Sequence, residues 1–342
     1  MGHYVKKKQL YYSYKMKRTI QKQKIKDFCM VFLLIILLPY TCALLFSDNK
    51  VPINKAEVSK TGENSNFKVV LTKTFGTQEI SFDEYLIGAL ASEIPGEYNA
   101  ETIKAQAVIL RSACFYAITN KTGIISDDLK KNMVQDNFVM DQKVLQEKYL
   151  TKKNRSLLWG DNAEQYEQKF LNAVRETSGL VIYHENKIID PPFFRLSNGK
   201  TRDGGEVTYL KPVSCESDLL SKEFLNKQVF TKEKFNGILK QIDKTDSPTK
   251  KISLKLDDEN YVKQVTIGNT TIEGEQFRTY FSLVSSCYTI IEKSDEITIE
   301  TKGIGHGLGF CQYAANQMAD SGDDFLTIIH FFFQKIDIQK IV

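Results

Sequence analysis

The sequence predicts an α+β fold, a single mixed α/β domain outside a membrane, preceded by one N-terminal transmembrane helix. Three observations predict it. Strand-like and helix-like segments interleave along the chain without strict βαβ alternation. In 342 residues, 42% hydrophobic and 26% charged content are near the globular average, so most of the chain should bury a core. One uncharged apolar run, Phe28 to Ser47, stands apart from the rest.

That run sets the topology. About twenty apolar residues suffice for a helix to cross a bilayer. The segment before it carries Lys6, Lys7, Lys8, Lys15, Lys17, Arg18, Lys22, Lys24 and Lys26 against Asp27 alone. The positive-inside rule leaves residues 1–27 in the cytoplasm as a basic segment, 28–47 as a signal anchor, and everything after about residue 48 outside. A cleaved signal peptide is the competing reading, but the core is longer than a usual signal sequence and no A-x-A pattern ends it. Without the basic segment the body is slightly acidic, despite the overall +4, which excludes a nucleic-acid-binding domain.

Residues 48–66 are polar and turn-rich and read as a linker; the folded domain is expected over 67–342. FKVVLTK from Phe67 reads as a strand. SFDE from Ser81 is a capping box, and Phe82, Leu86, Ala89 and Leu90 follow at helical spacing. Asn99 caps a second helix whose stripe is Ile103, Ala107, Leu110, Cys114 and Ala117, closed by Gly123. Residues 126–156 read as part helix, part surface insertion. Ala163–Thr177 is an amphipathic helix stopped at Ser178-Gly179, and a hairpin turning at Glu185-Asn186 follows. SNGKTRDGG is a turn-rich loop, residues 216–250 read as exposed helix, and strands return in KISLKL, YVKQVTIGNTTIEG and EITIETKG. A glycine-rich loop and a helix end the chain, and no repeat is present.

Two segments carry candidate chemistry. Glu93 falls one turn after Ala89 and Leu90, on or beside the apolar stripe, just before Ile94-Pro95. Lost hydration and the negative helix end would both favour a protonated carboxyl, as a general acid requires. From spacing alone, an ordinary exposed Glu at a frayed end is the alternative. In TKGIGHGLGFCQYAANQMA, glycines at 303, 305, 307 and 309 alternate with Ile304, His306, Leu308 and Phe310. If extended, this strip has one bare face, which would let a ligand approach the backbone. It has no phosphate-loop spacing.

The cysteines form no framework. Cys29 and Cys42 belong to the apolar run, and Cys114, Cys215, Cys287 and Cys311 are scattered, so spacing assigns no pairing. His306 and Cys311 lack a partner pair at ligand spacing. No metal and no cofactor is expected.

Taken together, the motifs resemble the SpoIID/LytB domain family, the stage II sporulation protein D family. ALASEIPGEYNAETIKAQAVILRSACFYA resembles its A-x-E-x-P and LKAQAVAARTYA pattern; GIGHGLGFCQYAANQMA resembles GYGHGVGMSQYGANGMA; FRLSNGKTRDGGEV and YLKPVSC resemble an S-G-G-x-T loop and a P-Y-L-x-S-V segment. The four matches run in order across nearly all of 67–342. The chain departs from the pattern at Asn198 and Leu196, in GFCQYAA, and in MDQKVL (140–145), which lacks the His, Cys and Tyr often found there.

The resemblance implies a peptidoglycan lytic transglycosylase, cleaving the β-1,4 bond after N-acetylmuramic acid in glycan stripped of stem peptides and leaving a 1,6-anhydro end. It places Glu93 as the catalytic acid. It implies substrate-binding roles for Arg111, Ser197, Gly199, Thr201, Tyr209, Lys211, His306 and Gln312, with His306 binding or ordering loops rather than moving protons. It further implies a mother-cell membrane location facing the septal space, action during engulfment, and partnership with stage II sporulation proteins P and M. A non-catalytic wall-binding or amidase-enhancing module is the rival reading.

Overall fold

In the computed structural model, residues 67–73, 76–123, 139–145, 148–243 and 251–341 are described. The basic segment, the apolar run and the linker, residues 1–66, lie outside them. Among the described residues no helix is long and apolar enough to cross a membrane.

The chain enters as an antiparallel pair, β1 (Lys68–Lys73) and β2 (Gly76–Ser81), joined in parallel by β3 (Val139–Asp141). Helix α1 (Phe82–Glu93) starts where Ser81 Oγ accepts the Glu84 amide at 3.2 Å. Only half of the expected capping box forms, because the Glu84 carboxylate is held by Arg155, 3.0 Å away, and by the Tyr149 hydroxyl at 3.1 Å. Helix α1 stops at Ile94, whose extended backbone (φ −127°, ψ 140°) is what the following Pro95 imposes. Helix α2 (Ala100–Thr122) is capped by the Asn99 side chain and closed by Gly123 at φ +70°, as expected.

Helix α2 organises the interior. Ile103, Ala107, Leu110 and Cys114 pack into a first core with α1, β1 and α5 (Ala163–Glu176). Ala105, Val108 and Ile109, on its other side, join a second core with β4 (Leu180–His184), β13 (Phe310–Cys311), α8 (Gln312–Asp320) and α9 (Phe325–Phe332). The helix is thus buried around most of its circumference, not along one stripe as its spacing suggests.

Between these parts lie α3 (Gln142–Leu145), α4 (Lys152–Trp159), β5 (Lys187–Ile188) and β6 (Phe193–Phe194). Strand β4 forms the expected hairpin with β5, turning on Glu185 (φ +49°) and Asn186 (φ +62°), and pairs antiparallel with the C-terminal β14 (Asp337–Lys340). The short β6 runs parallel to β13, setting Phe193 opposite Phe310.

A third core fills the region expected to be helical from 216 onward. Among the described residues there, only a 3-10 turn, Glu216–Leu220, and α6 (Lys232–Ile242) are helical; Leu225–Thr231 forms β7. The reason is tertiary: β7 pairs along its whole length with β12 (Glu296–Lys302), which also pairs with β11 (Cys287–Glu292). A second sheet orders β10 (Thr270–Glu273), β9 (Val262–Ile267) and β8 (Ile252–Leu256), and α7 (Gly274–Phe281) follows it. Phe235, Phe277 and Phe281 stack in this core, the last two with ring centroids 4.4 Å apart.

Candidate active site and its supporting loops

The first motif ends α1 and the last begins α8, and the fold brings them together. Gln312 Nε2 donates to the Glu93 carbonyl at 2.9 Å and to Gln106 Oε1 of α2 at 3.2 Å. Four residues along α8, Asn316 Oδ1 accepts the Asn99 amide at 2.8 Å, and Asn99 in turn donates to Asp320 at 3.0 Å. Both ends of the Ile94–Asn99 connection are therefore fastened to one helix. From the other side, Lys169 Nζ donates to the carbonyls of Gly96 (2.8 Å) and Tyr98 (2.9 Å), and Gly96 lies so close to the Tyr166 ring that a Cβ would meet it at 2.5 Å. Burial lowers the Lys169 pKa, with the Glu97 carboxylate countering.

Glu93 itself is half-buried at the mouth of this turn. Its carboxylate accepts the Ser92 hydroxyl at 3.2 Å, and Ser92 also bonds the Ala89 carbonyl at 2.8 Å. Among the described residues no ion pair holds Glu93. Its main chain is clamped by Gln312, and among the described residues its carboxylate accepts from the neutral Ser92 hydroxyl alone.

Arg111, expected to reach sugar oxygens, has no surface to offer. It is 2% exposed, and its guanidinium donates to the carbonyls of Thr177 (2.8 Å), Leu180 (3.2 Å) and Val174 (3.1 Å) and to the Thr177 hydroxyl. It ties α2 to the α5–β4 corner, where α5 ends and leaves carbonyls unsatisfied. Burial lowers its pKa to about 10, with Asp83 countering, so it stays charged at neutral pH.

The Ser197–Thr201 loop likewise turns inward. Ser197 (0% exposed) donates its amide to Asp218 Oδ2 at 2.7 Å, while its hydroxyl accepts the Gly199 amide at 3.0 Å. Thr201, also buried, exchanges bonds with Val213, and the Gly199 carbonyl accepts the Cys215 amide at 2.9 Å. The loop and the Tyr209–Cys215 segment thus form one unit. Asn198, the departure from the family pattern, donates its side-chain amide to the Glu259 carbonyl at 2.8 Å and its backbone amide to Tyr261 Oη at 3.2 Å. The substitution is absorbed by a contact to the third-core region. Tyr209 and Lys211 lie at the far end of this unit: the Tyr209 ring packs edge-on against His184, 5.2 Å away, and Lys211 pairs with Asp203 at 3.3 Å. Burial pushes the Tyr209 hydroxyl up to about 12, so it is a neutral donor.

The glycine strip is not extended. Gly303, Gly305, Gly307 and Gly309 all have left-handed φ, between +71° and +116°, and the face expected to admit a ligand is filled by protein. At Gly307 (φ +84°) a Cβ would meet the buried Tyr261 ring at 2.5 Å; at Gly309 (φ +75°) it would meet the Pro192 carbonyl at 2.3 Å. His306, half-buried, accepts the Leu308 amide on Nδ1 at 3.0 Å, and its ring also bonds the Phe193 backbone. Burial lowers its pKa. Its hydrogen bonds thus go to the backbone of its own loop and of β6.

Spacing gave no sign of Tyr261. Its hydroxyl accepts from Asn198 and donates to the Lys200 carbonyl at 3.0 Å, its ring underlies Gly307, and Arg202 stacks over it at 5.2 Å. It joins the two loops, yet it sits in an ordinary strand-like run with no motif around it.

Residues 72–184 match the family described as SpoIID, stage II sporulation protein. The stage II sporulation protein D of Bacillus amyloliquefaciens is 29% identical over 289 residues, covering 80% of this chain and 78% of the relative. That of Bacillus subtilis (strain 168) is 27% identical over 339 residues, covering 90% and 93%. The amidase enhancer of the same strain is 24% identical over 306 residues, and the aligned part is 39% of its length. Residues 72–184, which hold the α1–α2 turn fastened to α8, are thus similar to the SpoIID family of stage II sporulation proteins.

Proposed function

We propose that this domain is a peptidoglycan lytic transglycosylase acting in endospore formation, with Glu93 as its single acid–base group. One observation carries the reading: a half-buried carboxyl at the end of α1, its backbone held by Gln312 and its side chain unpaired with any described cation. Hydrolytic glycosidases divide the chemistry between two carboxylates, one of which handles a water or forms the glycosyl-enzyme. When the sugar's own C6 hydroxyl attacks the anomeric carbon, no water needs activating. Glu93 would give its proton to the departing glycosidic oxygen and then take the C6 hydroxyl proton, so that one residue closes the cycle and a 1,6-anhydro end results.

Ser92, 3.2 Å from the carboxylate, would orient it. Tyr209 and Lys211 remain candidate glycan contacts through a partly exposed ring and ammonium. Ser197, Gly199, Thr201, His306 and Gln312 would shape the groove from behind rather than touch sugar, since their polar groups are bonded within the protein. In this reading the domain acts from the mother-cell membrane on septal glycan from which stem peptides have been removed, alongside stage II sporulation proteins P and M.

The second reading, a wall-binding module that enhances an amidase, is favoured by the relative described as an amidase enhancer. Digestion of peptide-free glycan strands with the purified protein, followed by mass spectrometry, separates the two. The enzyme yields 1,6-anhydro-muramyl products; the module binds glycan and yields none.

A further inference from the structure

Three side chains of ligand type converge behind the Ser197–Thr201 loop. Cys215 ends the segment that pairs with the loop, Asp218 lies on the 3-10 turn, and Cys311 ends β13, 93 positions from Asp218. They are 2%, 0% and 0% exposed. Their donor atoms, two sulfurs and a carboxylate oxygen, all lie within 4.8 Å of one another. The Cys311 thiol donates to Asp218 Oδ2 at 3.0 Å, and the same oxygen accepts the Ser197 amide.

The other carboxylate oxygen, Asp218 Oδ1, is buried without a hydrogen-bond partner, and among the described residues no cation pairs with Asp218. A buried acid oxygen left in this way is costly, and native proteins supply such atoms with a donor or an ion. The thiols are not paired with each other in a disulfide.

We propose that Cys215, Asp218 and Cys311 bind a divalent transition metal of the zinc class, forming a structural site that fastens the Ser197–Thr201 loop to the start of α8. Two thiolates select such a metal over magnesium or calcium, which take oxygen ligands. With one oxygen from Asp218 the cluster offers three ligand atoms, two sulfurs and an oxygen, and one further ligand would complete the tetrahedral set of a closed structural site. Complete burial leaves no position for substrate. Binding releases the two thiol protons, so the site fills better at higher pH. The consequence reaches the candidate acid, because Cys311 immediately precedes Gln312, whose amide holds the Glu93 carbonyl. The site is independent of the transglycosylase reading, since it would serve either an enzyme or a binding module.

The test uses the full-length protein, purified in detergent, reduced and stripped of metal, and titrated with Co²⁺ alone. The expected result is a sulfur-to-cobalt charge-transfer band with strong visible absorption, saturating at one ion per chain and quenched by Zn²⁺. Cys215→Ser and Cys311→Ser each lose charge-transfer intensity, Asp218→Asn weakens binding at least tenfold, and Cys114→Ser, in the first core, leaves both unchanged. Far-UV circular dichroism accompanies each variant, and a Zn²⁺-dependent rise in the wild-type melting temperature provides a readout that needs no substitution. Absence of the band in folded, reduced wild type overturns the proposal. So does a band that survives in folded Cys215→Ser and Cys311→Ser, or a Cys215–Cys311 disulfide in protein purified without reductant.

Discussion

The end of α1 and the Ser197–Thr201 loop are both polar, both built on motif residues, and opposite in what they present. At Glu93 the protein bonds the main chain and, among the described residues, gives the side chain only a neighbouring hydroxyl as partner. In the loop the side chains themselves are taken up: Ser197, Thr201 and Asn198 all bond inward, to Gly199, Val213 and Glu259. Arg111 follows the loop's pattern, not the acid's. The motifs therefore hold two kinds of residue, those whose side chains are bonded within the protein and those whose main chain is bonded instead. Exposure and hydrogen-bond direction separate them.

Substitutions can break this contrast, beginning with the largest effect. Arg111→Ala should cost about 3–5 kcal/mol of stability, since it strips several buried carbonyls of their donor at once. Chemical denaturation checks this, and glycan affinity of the remaining folded protein should not change. Gly307→Ala should cost about 2–4 kcal/mol, from the left-handed backbone and the collision with Tyr261. A double substitution with Tyr261→Ala should recover part of that loss. Gln312→Ala should cost about 1–3 kcal/mol. Its sharper signature is a fall in kcat of roughly tenfold or more with little change in KM, as the helix end carrying Glu93 loosens.

The smallest effect concerns His306, whose folded pKa lies below its ordinary value of about 6.5. Above pH 6.5 the imidazole is neutral in both folded and unfolded chains. As pH falls below that, the unfolded chain takes up the proton first, so stability declines. The slope from one proton is at most about 1.4 kcal/mol per pH unit. Denaturation series at pH 7.5 and 5.5 should show a weaker decline for His306→Asn than for wild type.

Local signals carried much of the fold. Ser81, Asn99 and Gly123 cap as their residue types demand, and Glu185-Asn186 turns the hairpin, because such geometry is settled by a few neighbouring atoms. Leu225–Thr231 read as helix and forms a strand, because pairing with β12 decides it and no local pattern reports a partner some seventy residues away. In the site, spacing left Glu93 open to an ordinary exposed reading, the resemblance singled it out, and the fold supplies the clamp from Gln312. The same reasoning misplaced Arg111, since a cation on a helix looks alike whether it faces solvent or a helix end. It passed over Lys169 and Tyr261, which act through backbone bonds that leave no motif. The glycine strip misled for a related reason: bare positions imply close approach, and here the approaching body is the protein's own backbone and rings.

The central claim is that Glu93 is the chemical residue and its surroundings only hold it. The direct measurement compares wild type with Glu93→Gln on peptide-free glycan strands, reading 1,6-anhydro-muramyl ends by mass spectrometry and folding by thermal melting. The account predicts product from wild type, loss of at least a hundredfold in Glu93→Gln, a melting temperature within the spread expected of a surface substitution, and retained glycan binding. Undiminished product from a folded Glu93→Gln protein would contradict it.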